Sequence, residues 1–74
     1  MTWWAIDVRT AADCRDRVGA WLVAKTGQAV EERDDGTLVT FAPDEASADA
    51  LVAALRLAEP SPPETSRRPL DARW

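Results

Sequence analysis

Gln28-Ala29-Val30-Glu31-Glu32-Arg33 and Thr37-Leu38-Val39-Thr40-Phe41-Ala42, joined by Asp34-Asp35-Gly36, decide the architecture of this chain. Both runs read as strands, and the three residues between them tolerate positive φ, so the segment is expected to fold as a β-hairpin. Side chains alternate along a strand, which puts Val39 and Phe41 on one face of the second run and Leu38 and Thr40 on the other. The bulkier apolar pair, Val39 and Phe41, is expected to face the core, with Val30 pointing inward from the first run. Leu38 and Thr40 then fall on the open face. Pro43 has no N–H for a ladder and closes the hairpin.

Upstream, Trp3-Trp4-Ala5-Ile6-Asp7-Val8 reads as a strand rich in aromatic and β-branched residues. Its alternation aims Trp4, Ile6 and Val8 at the core and leaves Trp3, Ala5 and Asp7 outside. Thr10 is an N-cap candidate, with Asp13 three residues later approximating a capping box. Cys14, Val18, Trp21, Leu22 and Lys25 recur at helical spacing, and Gly27 supplies a left-handed stop. Downstream, Asp44 caps a second helix with Ala48, Leu51, Val52, Leu55 and Ala58 on its buried stripe. That helix must end before Pro60-Ser61-Pro62-Pro63. Thr65 to Arg68 is either an edge strand, for which Pro69 suits the end, or part of an unstructured tail. With the strand included, the order is β-α-β-β-α-β. The expected fold class is therefore α+β, a ferredoxin-like sandwich with an antiparallel sheet and two helices on one face. Residues 1–59 form the core of the domain, and residues 60–74 a proline-rich connection, an edge strand and the start of a linker.

The composition excludes several functions. Apolar residues make up 46% of the 74 positions, and 14 of them are alanine, which leaves little material for a deep cofactor pocket beside the core. No apolar run approaches the roughly 18 residues of a membrane span. The first residues lack the basic-then-apolar pattern of a secretory signal, so none is expected. With no histidine and one cysteine, neither a zinc site nor thiol–imidazole catalysis is expected, and the lone Cys14 fits a reducing cytoplasm. The net charge is −4, and between Glu31 and Asp49 seven acidic residues face only Arg33. A phosphate backbone is repelled by such a segment and a basic protein attracted, so direct nucleic-acid binding is disfavoured. The spacing of Glu31, Glu32, Asp34 and Asp35 lacks the ligand pattern of a calcium loop, and no metal is expected.

The stretch Trp3 to Val8, the helix end Thr26-Gly27, the hairpin from Gln28 to Pro43 and the segment Leu70-Asp71-Ala72-Arg73-Trp74 together resemble the N-terminal domain of bacterial ribosomal protein methyltransferases. These enzymes trimethylate the eleventh protein of the large ribosomal subunit. The last segment is similar to the Asp-x-x-Trp run where that family leaves its first domain. The resemblance implies a ferredoxin-like domain that recognises the ribosomal protein, followed by a doubly wound domain that binds S-adenosylmethionine and transfers its methyl group. Gly19, Gly27 and Gly36 offer no counterpart of the cofactor loop, so no catalytic residue and no cofactor is carried over to this chain. The expected partners are the basic ribosomal protein and a following methyltransferase domain, in the cytoplasm, with no membrane contact. The expected contact residues are Trp3, Leu38 and Thr40 on the open face, with Asp34 and Asp35 steering basic groups. The alternative reading is a free-standing ferredoxin-like regulatory or oligomerisation module.

Overall fold

The structure is a computed structural model that describes residues 3–59 and 63–70. Strand β1 (Trp4–Arg9) leads through a 3₁₀ turn (Ala12–Cys14) into helix α1 (Arg15–Thr26). The hairpin strands β2 (Glu31–Glu32) and β3 (Leu38–Ala42) follow, then helix α2 (Glu45–Ala58) and strand β4 (Glu64–Pro69). The four strands form one sheet in the order β2-β3-β1-β4, and every neighbouring pair is antiparallel. Pro60 to Pro62 and Asp71 to Trp74 lie outside the described residues, so the expectations placed on the proline run and on Trp74 lie there too.

The pairing of β1 with β3 sets which side chains meet. Val8 lies opposite Leu38, Ile6 opposite Thr40 and Trp4 opposite Ala42. Directly opposed residues of an antiparallel pair share a face. Leu38, Thr40 and Ala42 therefore join Trp4, Ile6 and Val8 on the helix-facing side. This reverses the expected facing of β3: Leu38 and Thr40 are 4% and 0% exposed. Phe41 stands opposite Ala5 on the other side and is half-buried. The physical reason is that β3 reads Leu-Val-Thr-Phe-Ala, with no charged residue to mark a solvent side, so its own alternation does not fix which set faces the helices. Val39 is also buried, between Asp7 of β1 and Glu31 of β2.

The core consists of Ile6, Val8, Leu38 and Ala42 from the sheet, Val18 and Leu22 from α1, and Ala48 and Leu55 from α2. Trp4, Trp21, Val30, Leu51 and Val52 are partly buried against it. Thr40 is enclosed on the same side, and its hydroxyl has no hydrogen-bond partner among the described residues.

Helix α1 begins later than Thr10 suggested. Ala11 is extended, the Cys14 N–H donates to the Ala11 carbonyl over 2.9 Å, and no side chain caps the helix. The 3₁₀ turn takes up the first turn that a Thr10 cap would have started. At the other end Gly27 adopts φ 69° and its N–H reaches the Val23 carbonyl over 2.8 Å, as the left-handed stop requires. Lys25 Nζ lies 5.7 Å from the Trp21 ring centre, so its stem follows the helix surface.

Helix α2 starts as its sequence indicates, with Asp44 Oδ1 accepting the Ser47 N–H over 2.7 Å. Hydrogen bonding from Ser47, its backbone N–H first and then its side chain, holds the Asp44 carboxyl below its ordinary range. Ala58, expected on the buried stripe, is exposed in the last turn. The residue after it, Glu59, is buried instead and ends the helix. Its carboxylate takes two hydrogen bonds from Arg17 of α1, Nε to Oε1 at 3.3 Å and Nη2 to Oε2 at 2.8 Å. The hydrogen bond and then the charge of Glu59 raise the Arg17 pKa above its ordinary value.

Leu55→Ala should cost about 2–5 kcal/mol, because Leu55 is enclosed by both layers. Phe41→Ala should cost distinctly less, and parallel urea titrations of the two variants check this ordering. Asp44 is a depressed carboxyl, so its contribution is present above the unfolded value of about 4 and is lost as pH falls through the folded one. Thermal melts across that range should show the loss, with Asp44→Ala flattening part of it.

Candidate functional site

The sheet face away from the helices carries every second residue of β1 starting at Trp3, with Val39 and Phe41 of β3. Trp3 is 42% exposed, and its carbonyl accepts the Leu70 N–H over 2.7 Å, which anchors its backbone at the end of the sheet. Phe41 sits one strand away, opposite Ala5. Asp7 comes next along β1, its side chain 16% exposed, with Arg68 Nη2 of β4 at 3.7 Å. That guanidinium offsets a carboxylate whose Oδ1 is buried without a hydrogen bond among the described residues. Glu31 of β2 lies opposite Val39 and completes this face towards the hairpin.

The hairpin tip is a pinned structure. Gly36 adopts φ 87°, its N–H donates to the Arg33 carbonyl at 2.9 Å, and the Arg33 N–H donates to the Thr37 carbonyl at 2.9 Å. A turn closed by a left-handed glycine is a common three-residue hairpin connection. Asp35 Oδ1 accepts the Thr37 N–H over 2.9 Å, and this bond first of all holds its carboxyl below the ordinary range. The Arg15 guanidinium packs against Gly36, and its Nε lies 3.7 Å from Glu32 Oε1. Arg15 thus ties the hairpin to the first turn of α1, while Asp34 and Asp35 remain exposed. Regular pairing of β2 is confined to Glu31 and Glu32, shorter than the run from Gln28 to Arg33.

The five residues expected to make contacts are not brought together. Trp3 is accessible at one end of β1. Asp34 and Asp35 lie beyond its other end, since Val8 pairs with Leu38 just after the hairpin. Arg9 lies six positions after Trp3, about 20 Å along the strand at the usual rise. Leu38 and Thr40 are inside the core. Sequence reading missed Phe41, the Asp7–Arg68 pair and the Arg15 clasp. The only signal for Phe41 was the strand register, which the apolar run of β3 leaves undetermined.

Among the described residues no group of His, Cys, Asp and Glu is arranged to hold a metal ion. No helix among them is long and apolar enough to cross a membrane. No family model, no curated protein and no solved structure matches this chain.

Gly36→Ala should destabilise the fold by more than about 1 kcal/mol, since positive φ and the Arg15 guanidinium both oppose a Cβ there. Gly27→Ala has open space around its Cβ and only the strained φ to bear, so it should cost less. Adding Arg15→Ala should recover part of the Gly36→Ala loss in a denaturation double-mutant cycle.

Proposed function

We propose that this chain is a non-catalytic recognition domain that binds a basic protein segment along the sheet face away from its helices. The observation that carries this reading is the placement of an exposed Trp3 at one end of that face and a pinned acidic hairpin at the other. An aromatic anchor supplies binding energy through desolvation, and separated carboxylates supply steering and orientation. An extended segment with one apolar residue and basic groups some 20 Å away fits the spacing.

In finer detail, the fold is ferredoxin-like. Taken from the other edge the sheet runs β4-β1-β3-β2, with a helix after β1 and another after β3, which supports that reading. The role is that of the substrate-recognition domain of an S-adenosylmethionine-dependent ribosomal protein methyltransferase in the cytoplasm. It presents the large-subunit ribosomal protein to a separate catalytic domain. Such a domain raises the effective concentration of the target at a remote active site without touching the reacting atoms. The resemblance of the segments around β1 and the hairpin supports this, as does the acidic charge opposite a basic target.

Titration of the labelled eleventh protein of the large subunit against this chain, at two salt concentrations, tests the proposal. Trp3→Ala should weaken binding by about 2 kcal/mol or more while the fold is retained. Asp34→Asn combined with Asp35→Asn should mainly slow association and reduce its salt dependence. Unchanged affinity of the tryptophan variant would move the binding surface elsewhere, and no binding by the wild-type chain would exclude this target.

A further inference from the structure

Strand β4 forms one edge of the sheet, and among the described residues no strand pairs with its outer side. The direction of its backbone groups follows from the register. Leu70 donates to the Trp3 carbonyl, so the bonded pairs with β1 continue at every second position, through Arg68–Ala5, Ser66–Asp7 and Glu64–Arg9. The N–H and C=O groups of Thr65 and Arg67 consequently point away from β1. Pro69, which has no N–H, falls at the next outward position, where an edge strand tolerates it. Pro63 precedes the strand and likewise has no N–H to leave unpaired.

The geometry points to self-association through this edge, with a second copy of the chain running antiparallel to β4 about a two-fold axis at Ser66. In that register Thr65 faces Arg67 of the second copy, so both outward N–H groups of each strand find an outward carbonyl. Glu64 faces Arg68 of the second copy on the open side of the sheet, and the same pair recurs across the axis. All three registers allow the same number of backbone hydrogen bonds, but moving the axis to Thr65 or to Arg67 no longer sets Glu64 opposite Arg68, and the latter also sets Arg67 against itself. Each charge already has a long contact within its own chain, Glu64 with Arg9 at 3.9 Å and Arg68 with Asp7 at 3.7 Å. At 80% and 47% exposure each can also face the second copy, which extends the two pairs into one alternating row of charges across the axis. Arg67, by contrast, is committed within the chain, against Asp49, Glu45 and the Trp4 ring. Charged and proline-bearing edges ordinarily discourage pairing, which works when like charges meet. Here the edge presents opposite charges to itself, and opposed pairs of that kind stabilise neighbouring strands. Two four-stranded sheets then become one continuous sheet, an isologous contact that goes beyond the recognition role proposed above.

Sedimentation equilibrium of the 74-residue chain over a range of concentrations tests this inference. The wild-type chain should approach twice the monomer mass as concentration rises. Glu64→Arg alone and Arg68→Glu alone, read on samples whose circular dichroism matches the wild type because Arg68 also offsets Asp7, should each weaken association at least about tenfold, equivalent to about 1.4 kcal/mol. An equimolar mixture of the two variants should restore it, because every cross-strand charge pair is complementary again in the mixed dimer. Ser66→Arg, which sets two arginines against each other on the axis and keeps the N–H directed at β1, should also be monomeric with an unchanged circular dichroism spectrum. A wild-type chain that stays monomeric throughout, single variants that associate like wild type, or a mixture that stays monomeric would each overturn the proposal.

Discussion

The register between β1 and β3 is the constraint on which the remainder of the molecule depends. Setting Val8 against Leu38 and Ile6 against Thr40 brings one set of side chains beneath both helices, and Val18, Leu22, Ala48 and Leu55 close over it. A slip by one residue would carry Phe41 inward and Leu38 outward, exchanging every contact of the central strand. The turn at Gly36 and the clasp of Arg15 on it help to exclude that slip, because they fix where the hairpin reverses. Local turn chemistry and the packing of the core therefore support the same arrangement.

Much of this was legible in the residues. Gly27, Asp44 and the prolines mark element ends because each acts through its own backbone or the adjoining turn, and the structure places helix ends at the first two. The edge strand near Thr65 to Arg68 was legible as one of two alternatives, since its polar side chains suit an edge as well as a tail. What failed were readings that needed knowledge of a neighbour. Thr10 offers a cap, but Ala11 stays extended and a 3₁₀ turn at Ala12–Cys14 precedes the helix. The facing of Leu38 and Thr40 depends on β1 rather than on β3 alone. Their burial removes them from the contact surface, whereas Trp3, Asp34 and Asp35 remain accessible.

Charge is distributed unevenly between fixed and available groups. Asp7, Glu32, Asp49 and Glu59 each face an arginine within the chain, so these carboxylates organise the fold. The pairs of Glu32 and Asp49 are exposed and contribute little individually, whereas Asp7 and Glu59 are largely buried, Glu59 in a bidentate contact with Arg17. Asp34 and Asp35 are exposed at the tip, where their field reaches solvent with little compensation. A net charge of −4 thus overstates the diffuse acidity of the molecule and understates its local concentration at the hairpin.

The Arg17–Glu59 contact also bears on how the molecule opens. It joins the start of α1, which no side chain caps, to the end of α2, where the chain departs towards β4. Fraying of the first helix therefore releases the carboxylate that secures the end of the second. Backbone amides in these two distant parts of the sequence should consequently exchange with solvent as one cooperative unit.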